Sequence, residues 1–346
     1  MNPYARDSRP AGAKSINTRS ATGPDLHTTD ALAKVAAMSA FHLAHISDLH
    51  VLDLGGTSVG AFLNKRLTGL GNLIGPRRGA HPAWLADALA ARLERAEVDH
   101  VAFTGDLTNL ALPSEFAAGR RLLERIGDGA RLSAVPGNHD AYTLGAARAS
   151  AGEAAIAPWA TGVRRREDYP WVKAPRPWLR IYGLSSAIAA PAFIAWGEVG
   201  DAQRERLARL VEQEPPEVQV RIAMVHHNLH RRGVPARFTA QLRDSEAVAE
   251  SLRKLRFTAL LHGHTHAPHR GHLPGDDGRA GTLVLGCGSS TWYRPSHEQL
   301  AHFNVMTLDE SGVVAVRSEV WSDTVRDFVP ERSDLAEQAR SRRVEL

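Results

Sequence analysis

The chain has 346 residues, 43% of them hydrophobic and 23% charged, with a formal charge of +4 and a single cysteine, Cys287. This is an ordinary globular composition: no apolar run reaches the roughly 20 residues that span a bilayer, and one cysteine excludes an internal disulfide framework. The mild positive balance suits a phosphate-bearing substrate or an anionic membrane surface and lacks the basic stripe of a nucleic-acid footprint, so no specific nucleic-acid partner is predicted.

Residues 1–38 are rich in Ser, Thr, Arg, Ala and Gly without a hydrophobic period, and read as a flexible N-terminal tail. No signal-peptide core is present, because Ala31 to Met38 is short and interrupted by Lys34, so the expected location is cytoplasmic. From there short apolar runs alternate with helical patterns. Strands are predicted over 41–46, 98–103, 132–135, 181–184, 220–225, 258–261, 282–285 and 303–308, and helices over 82–96, 114–126, 201–212 and 244–255. Pro82 and the Pro113-Ser114 pair supply helix-start signals. This alternation argues for an α/β domain over 39–328, its strand-rich end suggests a second sheet, and 329–346 reads as a polar C-terminal tail. Between 54 and 80 lies an insertion in which Val59, Phe62, Leu63, Leu67, Leu70 and Ile74 fall on one helical stripe beside Lys65, Arg66, Arg77 and Arg78. That pattern fits a lid, a membrane-surface helix or a helix docked on the core.

Five polar motifs follow apolar runs. They are Asp48-Leu49-His50, Gly105-Asp106-Leu107-Thr108-Asn109, Gly137-Asn138-His139-Asp140, His226-His227 and Gly263-His264-Thr265-His266. Residues just beyond the carboxyl ends of strands in an open α/β sheet converge on one crevice, where ligands bind. Asp48 and His50, two residues apart, project to the same side and offer one cation both a carboxylate oxygen and an imidazole nitrogen.

The ordered series D-x-H, G-D, G-N-H-D, H and G-H-x-H resembles the calcineurin-like metallophosphoesterase family over about residues 41 to 310. The resemblance implies two packed mixed β-sheets flanked by helices, a four-layer sandwich with a dinuclear site between the sheet ends. Carried over by position, one metal takes Asp48, His50, Asp106 and His266, and the other takes Asp106, Asn138, His226 and His264, with Asp106 bridging. His226 is preferred to His227 because it directly follows the strand. His139, oriented by Asp140, would assist the leaving group. Asn109, His227 and Arg231 are candidate substrate contacts.

The donor chemistry is coherent on its own terms. Two divalent cations outweigh the charges of Asp48 and Asp106, so the site stays electropositive, attracts phosphate and lowers the pKa of a bound water from about 15.7 toward 7. Mixed nitrogen and oxygen donors suit two divalent or trivalent ions drawn from Mn, Fe, Zn and Co. The expected reaction is hydrolysis of a phosphoester or pyrophosphate by metal-bound hydroxide, and the insertion favours a lipid-linked or bulky substrate resembling that of the UDP-diacylglucosamine pyrophosphatases, with peripheral contact at an anionic membrane. Alternatives are a cyclic-nucleotide phosphodiesterase, a nuclease or a catalytically silent metal-binding scaffold. Asn228-Leu229 stand where many cyclic-nucleotide enzymes of the family carry two prolines, and Asn109 stands where they commonly carry an acid. Against the scaffold, no ligand position is empty.

Overall fold

The computed structural model describes residues 40–62, 64–74, 79–230, 239–275, 281–294, 300–331 and 344. The expected tail over 1–38 falls outside them, apart from which the domain begins at its first strand. In chain order the strands are β1 (Phe41–Ile46), β2 (His100–Phe103), β3 (Leu132–Ala134), β4 (Trp171–Arg176), β5 (Leu179–Gly183), β6 (Val220–Met224) and β7 (Ala259–His262). They continue as β8 (His269–Leu273), β9 (Thr282–Gly286), β10 (His302–Asp309), β11 (Gly312–Ser322) and β12 (Asp327–Pro330). The helices are α1 (Arg66–Ile74), α2 (Ala83–Arg95), α3 (Pro113–Ile126), α4 (Leu144–Arg148), α5 (Ala151–Ile156), α6 (Asp201–Glu212) and α7 (Ser245–Lys254).

Two six-stranded mixed sheets result, in the orders β12-β11-β10-β1-β2-β3 and β4-β5-β6-β7-β9-β8. In the first, β1, β2 and β3 run parallel and β10 to β12 are antiparallel; in the second, β5, β6, β7 and β9 run parallel between antiparallel edges. Strand periodicity explains the layering. On β6, Ile222 and Met224 join Phe41, Leu43 and Val305 of the first sheet in one core, while the intervening Ala223 and Val225 join Leu207 of α6 and Val248 and Leu252 of α7 in another. The helix α2 buries Leu85, Leu89 and Leu93, one residue per turn. At the start of α3, Pro113 occupies the first turn and the Glu115 carboxylate accepts from the backbone N–H groups of Leu110 (2.8 Å) and Leu112 (3.1 Å).

All eight predicted strands are present within two residues of their expected bounds, but β4, β8, β11 and β12 were not anticipated from the sequence. Their apolar signal is weak for a physical reason: β8 reads His-Arg-Gly-His-Leu, and β11 leaves Val314 and other residues to solvent, so neither is the continuous apolar run of a strand buried on both faces. Beyond residue 328 the chain is more than a polar tail. β12 continues to Pro330, and Val344 is buried in the second core, its N–H donating to His272 O at 3.1 Å.

The insertion departs from its single-stripe reading. A 3-10 turn at Val59–Phe62 precedes α1, so the apolar residues do not share one helix face. Val59 is 83% and Leu67 60% exposed, whereas Phe62 packs against Leu110, Leu112 and Tyr142. Leu63, Arg77 and Arg78 lie outside the described residues.

Candidate metal centre

The parallel registers bring the motifs together. Ile46 pairs with Phe103, and Phe103 with Ala134, so these strands end level and are followed by Asp48, Asp106 and Asn138. In the other sheet Met224 pairs with Leu261, and the chain runs on to His226 and His264. Backbone bonds knit the loops: Asp48 N–H donates to Gly105 O (2.9 Å), His50 N–H to Asp106 O (3.0 Å) and Gly263 N–H to His226 O (3.0 Å). Gly105 has φ +96° and a Cβ there would stand 2.7 Å from Gly137 N, so glycine is required on both counts. The loop after β9 braces the first motif, with Ser289 Oγ donating to Asp48 O (2.7 Å) and Thr291 Oγ1 to Leu49 O (2.8 Å).

Five site residues adopt left-handed backbone conformations: Asp48 (φ 53°), His50 (44°), Asp106 (57°), His264 (68°) and His266 (53°). Each costs about 1–3 kcal/mol outside glycine, a cost that persists where the surroundings enforce it and that clusters at functional sites.

The side chains form two groups that share Asp106. In the first, ligand atoms of Asp48, His50, Asp106 and His266 all lie within 4.8 Å of one another. His50 Nε2 stands 2.9 Å from His266 Nε2 and 3.7 Å from both Asp48 Oδ1 and Asp106 Oδ2, and His266 Nε2 stands 3.3 Å from Asp48 Oδ1. In the second, Asn138 Oδ1 lies 3.1 Å from His226 Nε2 and 2.9 Å from His264 Nδ1, while His226 Nε2 lies 3.3 Å from Asp106 Oδ2. Asp106 Oδ1 accepts from His139 N–H at 2.8 Å.

This donor set fits cations. His226 Nδ1 donates to Thr104 O (2.8 Å) and its Nε2 faces the oxygens of Asn138 and Asp106, an arrangement that calls for positive charge between them, a proton on Nε2 or a metal ion in its place. Asp48 Oδ1 and His264 Nε2 are buried without a hydrogen-bond partner. Charge balance agrees. Burial lowers the pKa of His226, but the carboxylates of Asp106 and Asp48 overcome it and raise the imidazole to about 9. Burial likewise opposes ionisation of Asp48, yet His266 and His50 hold its carboxyl well below the usual range; for Asp106, His226 and His139 do the same. The pocket is built to hold positive charge, and two metal ions would supply it.

The remaining expected site residues fall out differently. His139 Nδ1 donates to Asn109 O at 2.6 Å, and its ring meets His50 edge-on (4.7 Å) and stacks on Tyr142 (5.3 Å). Asp140 was expected to orient that ring and does not. Its carboxylate turns inward to accept from the N–H groups of Leu107 (3.2 Å), Thr108 (3.0 Å) and Gly137 (2.9 Å) and from Thr108 Oγ1 (3.1 Å), because those loop donors have no strand partner and the buried carboxylate satisfies them. Burial, followed by the charge of Asp106, raises Asp140 to about 6.

Asn109 and His227 are not placed to touch a substrate through their side chains. The Asn109 amide donates to His50 O. His227 is fully buried, with Nε2 donating to Ala195 O (3.2 Å) and Nδ1 2.8 Å from Ser186 Oγ, and burial pushes it down to about 3. Strand geometry sends these successive histidines to opposite sides, and His226 is the one that faces the site. Arg231 lies outside the described residues.

Two side chains at the site carried little or no sequence signal. His81, just before α2, lies 4.7 Å from the His50 ring, ring centre to ring centre. Trp292 stands edge-on to His81 (5.3 Å) and His266 (5.6 Å) and forms a wall of the site, whereas its neighbour Tyr293 packs on Trp84. His230 and His269 stack at 3.9 Å beside His262, away from the two groups. Cys287 is a buried free thiol, pushed up to about 12 by burial.

Sheets of this order with donors converging at their carboxyl ends define a metallophosphoesterase sandwich. A family model described as calcineurin-like phosphoesterase matches residues 41–268, and the chain belongs to that family of metal-dependent phosphoester hydrolases. Among solved structures it resembles purple acid phosphatase PPD1 from yellow lupin (Lupinus luteus), with 15% identity, 84% of this chain and 53% of that one covered, and a TM-score of 0.55. PhoD gives 9% identity, coverage of 85% and 72%, and a TM-score of 0.52; a dimetal phosphatase from Danio rerio gives 16%, 82% and 99%, and 0.48. At these identities the likeness is one of fold, and the chain spans about half the length of the lupin phosphatase. No curated protein matches the chain. Among the described residues no helix is long and apolar enough to cross a membrane.

Proposed function

We propose that the chain hydrolyses a phosphomonoester, phosphodiester or pyrophosphate bond with two transition-metal ions of the Mn, Fe, Zn or Co type. Asp48, His50, Asp106 and His266 hold one, and Asp106, Asn138, His226 and His264 hold the other. The observation that carries this reading is the Asp106 carboxylate, one oxygen of which stands 3.7 Å from His50 Nε2 and 3.3 Å from His226 Nε2 and so faces both groups. When bound, the ions supply Lewis-acid stabilisation of the phosphoryl oxygens and an ionised water as nucleophile.

The chain's own residues do the rest. His139 keeps its Nδ1 proton on Asn109 O, which leaves Nε2 to carry the proton that the departing oxygen needs. Asn109 thus acts through its carbonyl, and Tyr142 holds the other face of the ring. Trp292 stands edge-on against His266, and solvent displaced there would strengthen the electrostatics of the first group. Purified protein is expected to hydrolyse bis-p-nitrophenyl phosphate with added manganese and to lose that activity in chelator. Activity that survives exhaustive chelation would sink the reading.

Within that reaction we propose a substrate with a lipid or other bulky group, because a cavity of about 490 Å³ lined by Asn64, Lys65, Tyr142, Leu144, Ala190 and Pro191 adjoins the His139–Tyr142 stack. Lys65 fastens the insertion to the opposite rim, donating to Ala190 O (3.0 Å) and Ile194 O (3.2 Å). The insertion exposes the side chains of Val59 and Leu67, and the segment that Lys65 bonds, from Ala190 to Ile194, exposes Phe193 (78%). This reading implies a cytoplasmic protein in peripheral contact with an anionic leaflet. Leu67→Ser tests it cleanly, since an exposed residue leaves no cavity. Hydrolysis of a lipid-linked pyrophosphate should fall several-fold while bis-p-nitrophenyl phosphate is spared, and sedimentation with anionic vesicles should weaken. Equal effects on both substrates would count against it.

A further inference from the structure

We propose that His81 is an additional protein ligand of the ion held by Asp48, His50 and His266, an assignment that rests on the two-metal reading above. The argument begins with its tautomer. His81 Nδ1 lies 2.9 Å from Thr291 Oγ1 and 3.4 Å from Ser289 Oγ. Both hydroxyl protons are committed elsewhere, Thr291's to Leu49 O (2.8 Å) and Ser289's to Asp48 O (2.7 Å). The two hydroxyls therefore act as acceptors toward His81, and the ring proton belongs on Nδ1. In a neutral imidazole so protonated, the lone pair lies on Nε2.

The His81 ring belongs to a cluster of imidazoles. One ring nitrogen from each of His50, His81 and His266 lies within 4.8 Å of the others. His50 is fixed in the same tautomer, Nδ1 donating to Thr108 O (3.3 Å), with Nε2 2.9 Å from His266 Nε2. Two nitrogens bound to one ion at about 2.1 Å stand at most about 4.2 Å apart, so the 4.8 Å bound leaves up to about 0.6 Å to close between the imidazoles and more toward Asp48 and Asp106, with which His81 does not group, and the His81 ring would have to rotate toward the ion to bind it. An imidazole whose second nitrogen donates to an oxygen is the usual form of a metal-ligating histidine, since that bond fixes ring orientation and raises ligand basicity. Thr291 and Ser289 supply the oxygens, and because they also tether the backbone of Asp48 and Leu49, they set His81 and the first motif in one frame.

The consequence is an asymmetric pair of sites. The first would hold its ion chiefly with Asp48, His50, Asp106 and His266, and His81, which groups with the two imidazoles and not with the carboxylates, would close on it from the imidazole side and take a position that solvent would otherwise fill. The second, with Asn138, His226, His264 and the shared Asp106, keeps open positions for a substrate oxygen. Added imidazole also favours zinc, iron or cobalt over manganese at the first site.

The test loads the full chain with cobalt(II) and compares wild type with His81→Ala, His81→Gln and Thr291→Val. Equivalents bound, chelator-competition affinities and the visible d–d spectrum are read. Wild type should bind two ions, and both His81 variants should bind one of them at least 10-fold more weakly with an altered spectrum, the other ion being unaffected. Thr291→Val should shift the same affinity in the same direction by less, and added imidazole should restore the His81→Ala spectrum. Unchanged affinities and spectra in the folded His81 variants would overturn the assignment, whereas failure of wild type to bind two ions would overturn the two-metal reading instead. If His81→Ala fails to fold, His81→Gln and Thr291→Val decide the matter by the same readings.

Discussion

Asp106→Ala is expected to reduce activity to background and to remove both metal ions together, the largest effect of any single substitution in this chain. The reason is charge. Asp48 and Asp106 are the only carboxylates in the two donor groups, and Asp106 alone belongs to the second, whose other members, Asn138, His226 and His264, are neutral donors. Without it the second group is three neutral donors around a buried point, and the first retains one carboxylate. The substitution also removes the acceptor for His139 N–H, which positions the loop carrying Asn138. Elemental analysis after gel filtration checks the outcome, with Asp106→Asn as the isosteric control that keeps the volume and loses the charge. Two tightly held equivalents in the alanine variant would show that Asp106 does not bridge.

The sequence made the centre legible because each donor sits at a strand end, and strand ends are what a short apolar run declares. Phe41–Ile46, Val220–Met224 and Ala259–His262 are buried along almost their whole length, so their hydrophobic signal is strong and the polar residues after them stand out. The edge strands β8 and β12 and the half-exposed β11 lack that contrast. The rest of the site depends on side-chain direction and long-range contact, which adjacency in sequence does not report. Asp140 follows His139 in the chain yet points into the loop donors of Leu107, Thr108 and Gly137, while the group that holds the His139 ring is a carbonyl 30 residues away at Asn109. His81 is more remote still. It reaches the site only because α2 docks its first turn beside the loop after β9, where Thr291 and Ser289 meet it 210 and 208 residues later in the chain. The insertion misled for a related reason: a helical stripe over Val59 to Ile74 presumes one helix, and the chain breaks it into a 3-10 turn and α1.

His139→Asn is expected to lower kcat by roughly 10²- to 10⁴-fold, the range for loss of a general acid, with both metal ions retained. Retention follows from geometry: the His139 side chain bonds to Asn109 O and stacks on Tyr142, and the hydrogen bond to Asp106 comes from the backbone N–H, so substitution of the ring leaves that bond in place. The size of the loss should depend on the leaving group. A p-nitrophenolate departs without a proton, so its ester should lose little, whereas an alkoxide needs protonation as the bond breaks and should show the full deficit. A plot of log kcat against leaving-group pKa should therefore be steeper for the variant than for wild type. Tyr142→Phe, which keeps the stacked ring, should leave that slope unchanged. Parallel slopes with a uniform loss would mean that His139 orients the substrate rather than protonating the leaving oxygen, and loss of metal from His139→Asn would place the residue in the metal centre's support instead of in proton transfer.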